Sequence, residues 1–136
     1  MAKQIDHIGI AVQDLEKALD FFAPLLGEGG IHREEVPEQK VKTASLVIGE
    51  STVELLEPTS PESPIANFLG KKGEGIHHLA LEVEDIEKSL EDLKSRSVRL
   101  IDQTPRAGAG GKRIAFIHPG GAHGVLIELC EKKKAL

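Results

Sequence analysis

Tryptophan and tyrosine are absent from this 136-residue chain, phenylalanine occurs four times, and there is one cysteine, Cys130. A single cysteine excludes an internal disulfide framework and fits a reducing compartment. With so few stacking aromatics and a formal net charge of −5, nucleic acid is excluded as a partner, since it asks for a basic face and aromatic platforms. No apolar run approaches the roughly 20 residues of a membrane helix, so no membrane span is expected. The N-terminus, Met1 to Asp6, has no apolar core of a secretory signal, and the expected location is cytoplasmic. What remains is a chain of ordinary globular composition, with 40% hydrophobic and 29% charged residues. A chain of this length buries roughly two-thirds of its unfolded surface without staples.

The chain repeats itself. Asp6 to Leu19 and His77 to Leu90 align at an offset of 71, with six identities in fourteen: His7/His78, Val12/Val83, Asp14/Asp85, Glu16/Glu87, Lys17/Lys88 and Leu19/Leu90. Ser51 to Glu57 and Val125 to Glu131 repeat more loosely, with Glu54 on Glu128 at an offset of 74. The three extra residues fit the turn Pro119 to Gly124, where insertion costs little.

Alternating apolar residues predict strands at 5–12 and 77–83. Asp14 and Asp85 are N-caps for helices that follow, the first with Leu15, Leu19, Phe22, Leu25 and Leu26 at helical spacing, the second over 86–96. Pro24 and Gly27 mark the end of the first helix. Further strands are expected near 31–37, 42–48, 51–57, 99–103, 113–118 and 124–130, with a linking helix over 61–72. The expected fold is α+β: two pseudo-symmetric βαβββ modules pairing into a cupped mixed sheet. The modules span about 4–58 and 75–131 of a single domain, 1–136.

Side chains alternate across a strand. Ile8, Ile10 and Val12 share the helix-covered face, and His7, Gly9 and Ala11 the other. In the second module Leu79, Leu81 and Val83 lie under the helix, and His78, Ala80 and Glu82 point away. Glu54 and Glu128 oppose the apolar residues Val53/Leu55 and Val125/Ile127/Leu129. Both modules therefore place one His and one Glu on the uncovered face. Brought together, His7, Glu54, His78 and Glu128 form a donor set for one divalent ion, two imidazoles and two carboxylates that neutralise its charge. The competing reading is that each His ends a strand at the surface and each Glu is solvated.

The segments Asp6-His7-Ile8-Gly9-Ile10-Ala11-Val12, Val53-Glu54-Leu55-Leu56-Glu57-Pro58, Ser63-Pro64-Ile65-Ala66, Gly73-Glu74-Gly75-Ile76-His77-His78, Pro105-Arg106-Ala107-Gly108-Ala109-Gly110-Gly111 and Gly124 to Leu129 resemble the methylmalonyl-CoA epimerase family. That family sits in the vicinal-oxygen-chelate superfamily with glyoxalase I and extradiol dioxygenases. The resemblance implies epimerisation of (2R)- and (2S)-methylmalonyl-CoA in propionate metabolism, with His7, Glu54, His78 and Glu128 as metal ligands. It also implies a homodimer. His77, which aligns with Asp6, is not a ligand in this reading. Cobalt, manganese, nickel and zinc all tolerate the donor set. An octahedral ion leaves two positions, and the substrate's carboxylate and thioester carbonyl can fill them as a chelate. The resemblance makes Glu128 the catalytic base, with Glu54 its counterpart. Some relatives carry a second carboxylate on the strand after a Glu-Gln-Gly-Val turn. Here the turn is Glu38-Gln39-Lys40-Val41 and the strand runs Lys42-Thr43-Ala44-Ser45, without one. Gln39, Arg106 and Lys112 are candidate substrate contacts, the cations for an anionic coenzyme A tail. Lys71, Lys72 and Arg113 offer further positive charge. His32, His118 and His123 are expected on surface loops, Lys132-Lys133-Lys134 as a solvated tail, and Cys130 as a buried thiol. Two other functions fit the same scaffold: a glyoxalase I-like lyase, and a metal-free small-molecule binding protein.

Overall fold

The computed structural model describes residues 1–27 and 30–132. Lys133 and Lys134 lie outside the described residues. The fold is α+β, with the order β1 (Ala2–Ala11), α1 (Leu15–Leu26), β2 (Ile31–Val36), β3 (Val41–Ile48), β4 (Ser51–Pro58), α2 (Pro64–Lys72), β5 (Gly75–Val83), α3 (Ile86–Ser95), β6 (Arg106–Ala107), β7 (Arg113–Ile117) and β8 (Ile127–Glu131). Short 3-10 turns occupy Pro37–Gln39, Ala109–Gly111 and Pro119–Gly121. Among the described residues no helix is long and apolar enough to cross a membrane. Contacts divide the chain into two compact units, His7–His77 and Met1–Asp6 with the chain from His78 onward.

In the first unit the strand order is β2-β3-β4-β1. β3 runs antiparallel to both β2 and β4, and β1 runs parallel to β4 with Gly9 opposite Glu54. Parallel neighbours need a crossover, and α1 supplies part of it. Its start is fixed twice. Asp14 accepts the Lys17 N–H at 3.1 Å, as an N-cap should, and Glu57 of β4 accepts the Leu15 N–H at 2.8 Å. Leu15, Leu19 and Ala23 then bury against Val12, Ala44, Leu46 and Leu55. Pro24 stays inside the last turn, and Gly27 ends the helix at φ 102°, a conformation that favours glycine.

The second unit has the order β5-β8-β7-β6, with β5 parallel to β8 and Ala80 opposite Glu128. Asp85 accepts the Lys88 N–H at 3.1 Å, and Glu131 of β8 accepts the Ile86 N–H at 2.9 Å. Ile86 and Leu90 of α3 pack with Val83, Ala115, Ile117 and Leu129. The device that starts α1 is thus repeated residue for residue at α3.

Several expected boundaries shift. The linking helix begins at Pro64, where Ser63 accepts the Ile65 N–H at 3.2 Å, so residues 61–63 precede it. The last strand begins at Ile127, which leaves Val125 outside it and exposed. Residues 99–103 form no strand; Leu100 makes one isolated bridge to Ile117. The partner of β7 is the two-residue β6 instead. Leu100, within the expected strand, and Val98 just before it pack beneath α3. Leu25, at helical spacing with the core residues, is 64% exposed. His32 lies on strand β2 rather than on a loop, and is exposed there.

Candidate metal centre

β1 and β4 bring the first His–Glu pair together. His7 stands opposite Thr52 and Gly9 opposite Glu54, so His7 and Glu54 are offset by two residues on one face. Gly9 adds no side chain to that face. His7 Nε2 lies 3.8 Å from Glu54 Oε1. The second pair is built alike. Ala80 opposes Glu128, and His78 Nε2 lies 3.3 Å from Glu128 Oε1.

Burial sets these pairs apart from surface ion pairs. His7, His78 and Glu128 are 4%, 5% and 6% exposed, and the Glu54 side chain is 13% exposed. The solvated reading of the four residues fails on this point. Buried carboxylates need a compensating partner, and a divalent ion is one. Within each unit one imidazole nitrogen and one carboxylate oxygen stand close enough to serve one ion. Two imidazole nitrogens with carboxylate oxygens suit zinc, manganese, cobalt or nickel, so the residues fit a metal. Bound there, a divalent ion would act as a Lewis acid towards a carbonyl oxygen.

His77 differs from its neighbour. Its ring meets Phe68 edge-on at 5.0 Å, and burial, with Lys72 nearby, pushes its pKa down to about 4. Cys130 is fully buried, with its thiol 3.6 Å from the Leu81 carbonyl. Burial first, and the carboxylates of Asp6 and Glu128 next, push that thiol's pKa upward. It packs with Ala80, Ile114 and Phe116.

The expected substrate contacts fall in different settings. Gln39 ends the 3-10 turn before β3, and its carbonyl accepts from the Ser63 hydroxyl at 3.5 Å. Lys112 Nζ lies 2.7 Å from the buried Asp6 carboxylate, so its charge already has a partner. Lys132 joins the same group through Glu82 at 3.0 Å. Arg113 pairs with Glu87 and with Glu131 on the α3 side of the sheet. Arg106 pairs with Asp102 at 3.3 Å. The guanidinium lies 5.4 Å from the centre of the Phe116 ring, and that ring meets His78 edge-on at 5.8 Å. Sequence reasoning missed Asp102 and Phe116. The one signal available was the position of Phe116 at an offset of 71 from Ser45, where the repeat breaks from small to aromatic.

Comparison with known proteins agrees with this arrangement. Residues 6–116 match the model of the glyoxalase/bleomycin resistance protein/dioxygenase superfamily. An ethylmalonyl-CoA/methylmalonyl-CoA epimerase from Cereibacter sphaeroides is 39% identical, over 95% of this chain and 98% of its own length. The crystal structure of methylmalonyl-CoA epimerase from Mycobacterium tuberculosis superimposes with a TM-score of 0.90 at 38% identity, covering 98% of this chain and 90% of that one. A methylmalonyl-CoA epimerase solved in complex with methylmalonyl-CoA and NH4+ also gives a TM-score of 0.90 at 38% identity, covering 97% and 96%. With the doubled His–Glu arrangement carried on two βαβββ modules, the chain belongs to the glyoxalase/bleomycin resistance protein/dioxygenase superfamily and, within it, to the methylmalonyl-CoA epimerase family.

Proposed function

We propose that the protein interconverts (2R)- and (2S)-methylmalonyl-CoA with the help of one divalent metal ion held by His7, Glu54, His78 and Glu128. The observation that carries the reading is the repetition of a buried His–Glu pair at equivalent register positions, 3.8 Å apart in one module and 3.3 Å in the other. The α-carbon of this substrate lies between a carboxylate and a thioester. Its proton is acidic only if the enolate charge that develops on the thioester oxygen is stabilised. Bound metal would supply that stabilisation, and the imidazoles of His7 and His78 supply neutral donors that leave the carboxylates to balance charge.

Epimerisation removes a proton from one face of the α-carbon and returns one to the other. Glu128 is the first base in this reading, using the carboxylate oxygen that does not serve as a ligand. Glu54 is its pseudo-symmetric counterpart for the second face. Gln39, Arg106 and Lys112 are the proposed substrate contacts. Lys112 would meet an anion only in competition with Asp6. A homodimer belongs to the same reading, supported by the open sheet edges at β2 and β6 that invite pairing or cover.

Deuterium exchange tests the proposal. Metal-loaded protein is incubated with (2R)-methylmalonyl-CoA in D2O, and the α-position and its stereochemistry are followed. The expected result is deuterium incorporation with loss of optical purity, abolished by chelation and by Glu128→Ala. Absence of exchange above the uncatalysed rate, with metal confirmed bound, would refute the epimerase reading and leave a metal site that takes another chelating substrate.

A further inference from the structure

The two modules agree closely in the parts that hold the fold and differ on the strand that runs antiparallel to each glutamate's own. In the first, Ser45 stands opposite Glu54. In the second, Phe116 stands opposite Glu128. Phe116 connects to more than the strand. Its ring meets His78 edge-on at 5.8 Å and carries the Arg106 guanidinium 5.4 Å from its centre. Arg106 is fixed in turn by Asp102, whose Oδ1 lies 3.3 Å from Arg106 Nε. The other oxygen of Asp102 accepts the Phe116 N–H at 2.8 Å. One carboxylate therefore grips both the backbone beneath the ring and the cation against the ring.

Stability alone does not call for this arrangement. A neutral acceptor would satisfy the Phe116 N–H equally well. An ion pair whose arginine is 47% exposed adds little to folding. What the arrangement does is remove rotamer freedom from a long side chain before any ligand arrives, so that the entropic cost of ordering it is not met on binding. A guanidinium held in this way, one ring removed from His78, is suited to donating N–H bonds to a carboxylate oxygen. Nε faces Asp102, and a guanidinium carries four further N–H donors on its two terminal nitrogens.

We propose that Asp102 is a positioning residue that holds Arg106 against Phe116 as the receptor for the oxygen of the substrate's acyl carboxylate that a metal chelate would leave open. The inference rests on the proposed methylmalonyl-CoA chemistry and deepens it. It makes Arg106 the group that separates a malonyl-type thioester from a simple acyl thioester, rather than a contact for the coenzyme A phosphates.

The test compares two thioesters that share coenzyme A and differ in the carboxylate. Binding of racemic methylmalonyl-CoA, which is already at epimeric equilibrium, and of propionyl-CoA is measured by calorimetry on metal-loaded protein. Asp102→Asn keeps an acceptor for the Phe116 N–H and removes the charge that fixes Arg106. It is expected to weaken methylmalonyl-CoA about fivefold, the scale of a half-exposed charge-assisted contact, and to leave propionyl-CoA within about twofold. Arg106→Gln is expected to show the same split with a loss of about tenfold, and the double variant to bind no more weakly than Arg106→Gln, because one residue acts through the other. Equal losses for both thioesters in either variant would overturn the proposal and assign Arg106 to the coenzyme. So would an unchanged ratio, or a double variant that loses the product of the two single effects. Arg106→Gln touches no backbone hydrogen bond of β7, so an unchanged ratio there is decisive even if Asp102→Asn fails to fold. Wild-type protein that binds neither thioester would overturn the proposed function together with this inference. Wild-type binding with an unmoved ratio would overturn this inference alone.

Discussion

Replacing Glu131 by alanine should destabilise the protein without touching its chemistry. Glu131 is on β8 three residues beyond Glu128, so it points to the opposite face of the strand. There it accepts the N–H of Ile86, the first residue of α3, at 2.9 Å. Ile86 is fully buried, so water cannot take over the bond when the carboxylate is gone. An orphaned buried N–H costs about 1–3 kcal/mol, and losing a negative charge at a helix N-terminus adds about 0.3–1 kcal/mol. The Arg113 partner is half exposed and contributes little. The middle of these ranges sums to roughly 2–3 kcal/mol. For a chain of this size that is a fall in Tm of roughly 6–15 °C. Glu131→Gln keeps an oxygen acceptor and loses only the charge, so it should cost about 1 kcal/mol or less. Urea titration reads both variants as a change of midpoint at constant slope. Glu57→Ala is the internal control. It removes the same bond from Leu15, at 2.8 Å, but the Glu57 side chain is 19% exposed against 11% for Glu131, so water recovers more and the loss should be smaller. A cost below about 0.5 kcal/mol for Glu131→Ala, within the range of ordinary surface changes, would refute the reasoning. A glutamine variant as damaging as the alanine variant would show that charge, not the acceptor, carries the effect.

Gly108→Ala should destabilise by about 1–3 kcal/mol in a chemical-denaturation midpoint, because the new Cβ would stand 2.6 Å from Ile114 Cγ2, and a β-branched side chain has little freedom to give way. A neutral Gly108→Ala would mean that the segment before β7 can move aside. Cys130 should resist Ellman's reagent in the folded protein and react stoichiometrically in denaturant, since its thiol is fully buried and burial raises its pKa. Rapid native labelling would place it at the surface, contrary to its packing with Ala80, Ile114 and Phe116.

The repeat was legible because the residues that fold each module are short-range and chemically specific. Asp14 and Asp85 sit where an N-cap must sit, and His7 and His78 follow the strand alternation that carries them to the uncovered face. Burial of Glu54 and Glu128 followed from apolar residues on either side of each. The edge strand of the second module was not legible. Residues 99–103 look like a strand, yet Leu100 makes a single bridge to β7 and packs under α3, and the strand that pairs with the start of β7 is Arg106–Ala107. A two-residue strand followed by glycines has no period to detect. Asp102 was invisible for a different reason. Its partners are a backbone N–H fourteen residues away and an arginine outside any helix, so its role exists only once β7 is in place.

The offset between the modules changes from 71 to 74 within the stretch that contains the turn Pro119 to Gly124. Ile86 and Leu15 stand 71 apart, whereas Glu131 and Glu57 stand 74 apart, yet each glutamate meets its own helix. An odd insertion inside a strand would have turned every later side chain to the wrong face. Placed in a loop that includes the Pro119–Gly121 turn and Gly124 at φ 89°, it is absorbed before Ile127 begins to pair. Duplicated genes can therefore drift in length at this spot while the parity of the strand, and with it the chemistry, is preserved. The same spot is the natural place to splice a reporter peptide into the chain, because the two modules already differ in length there.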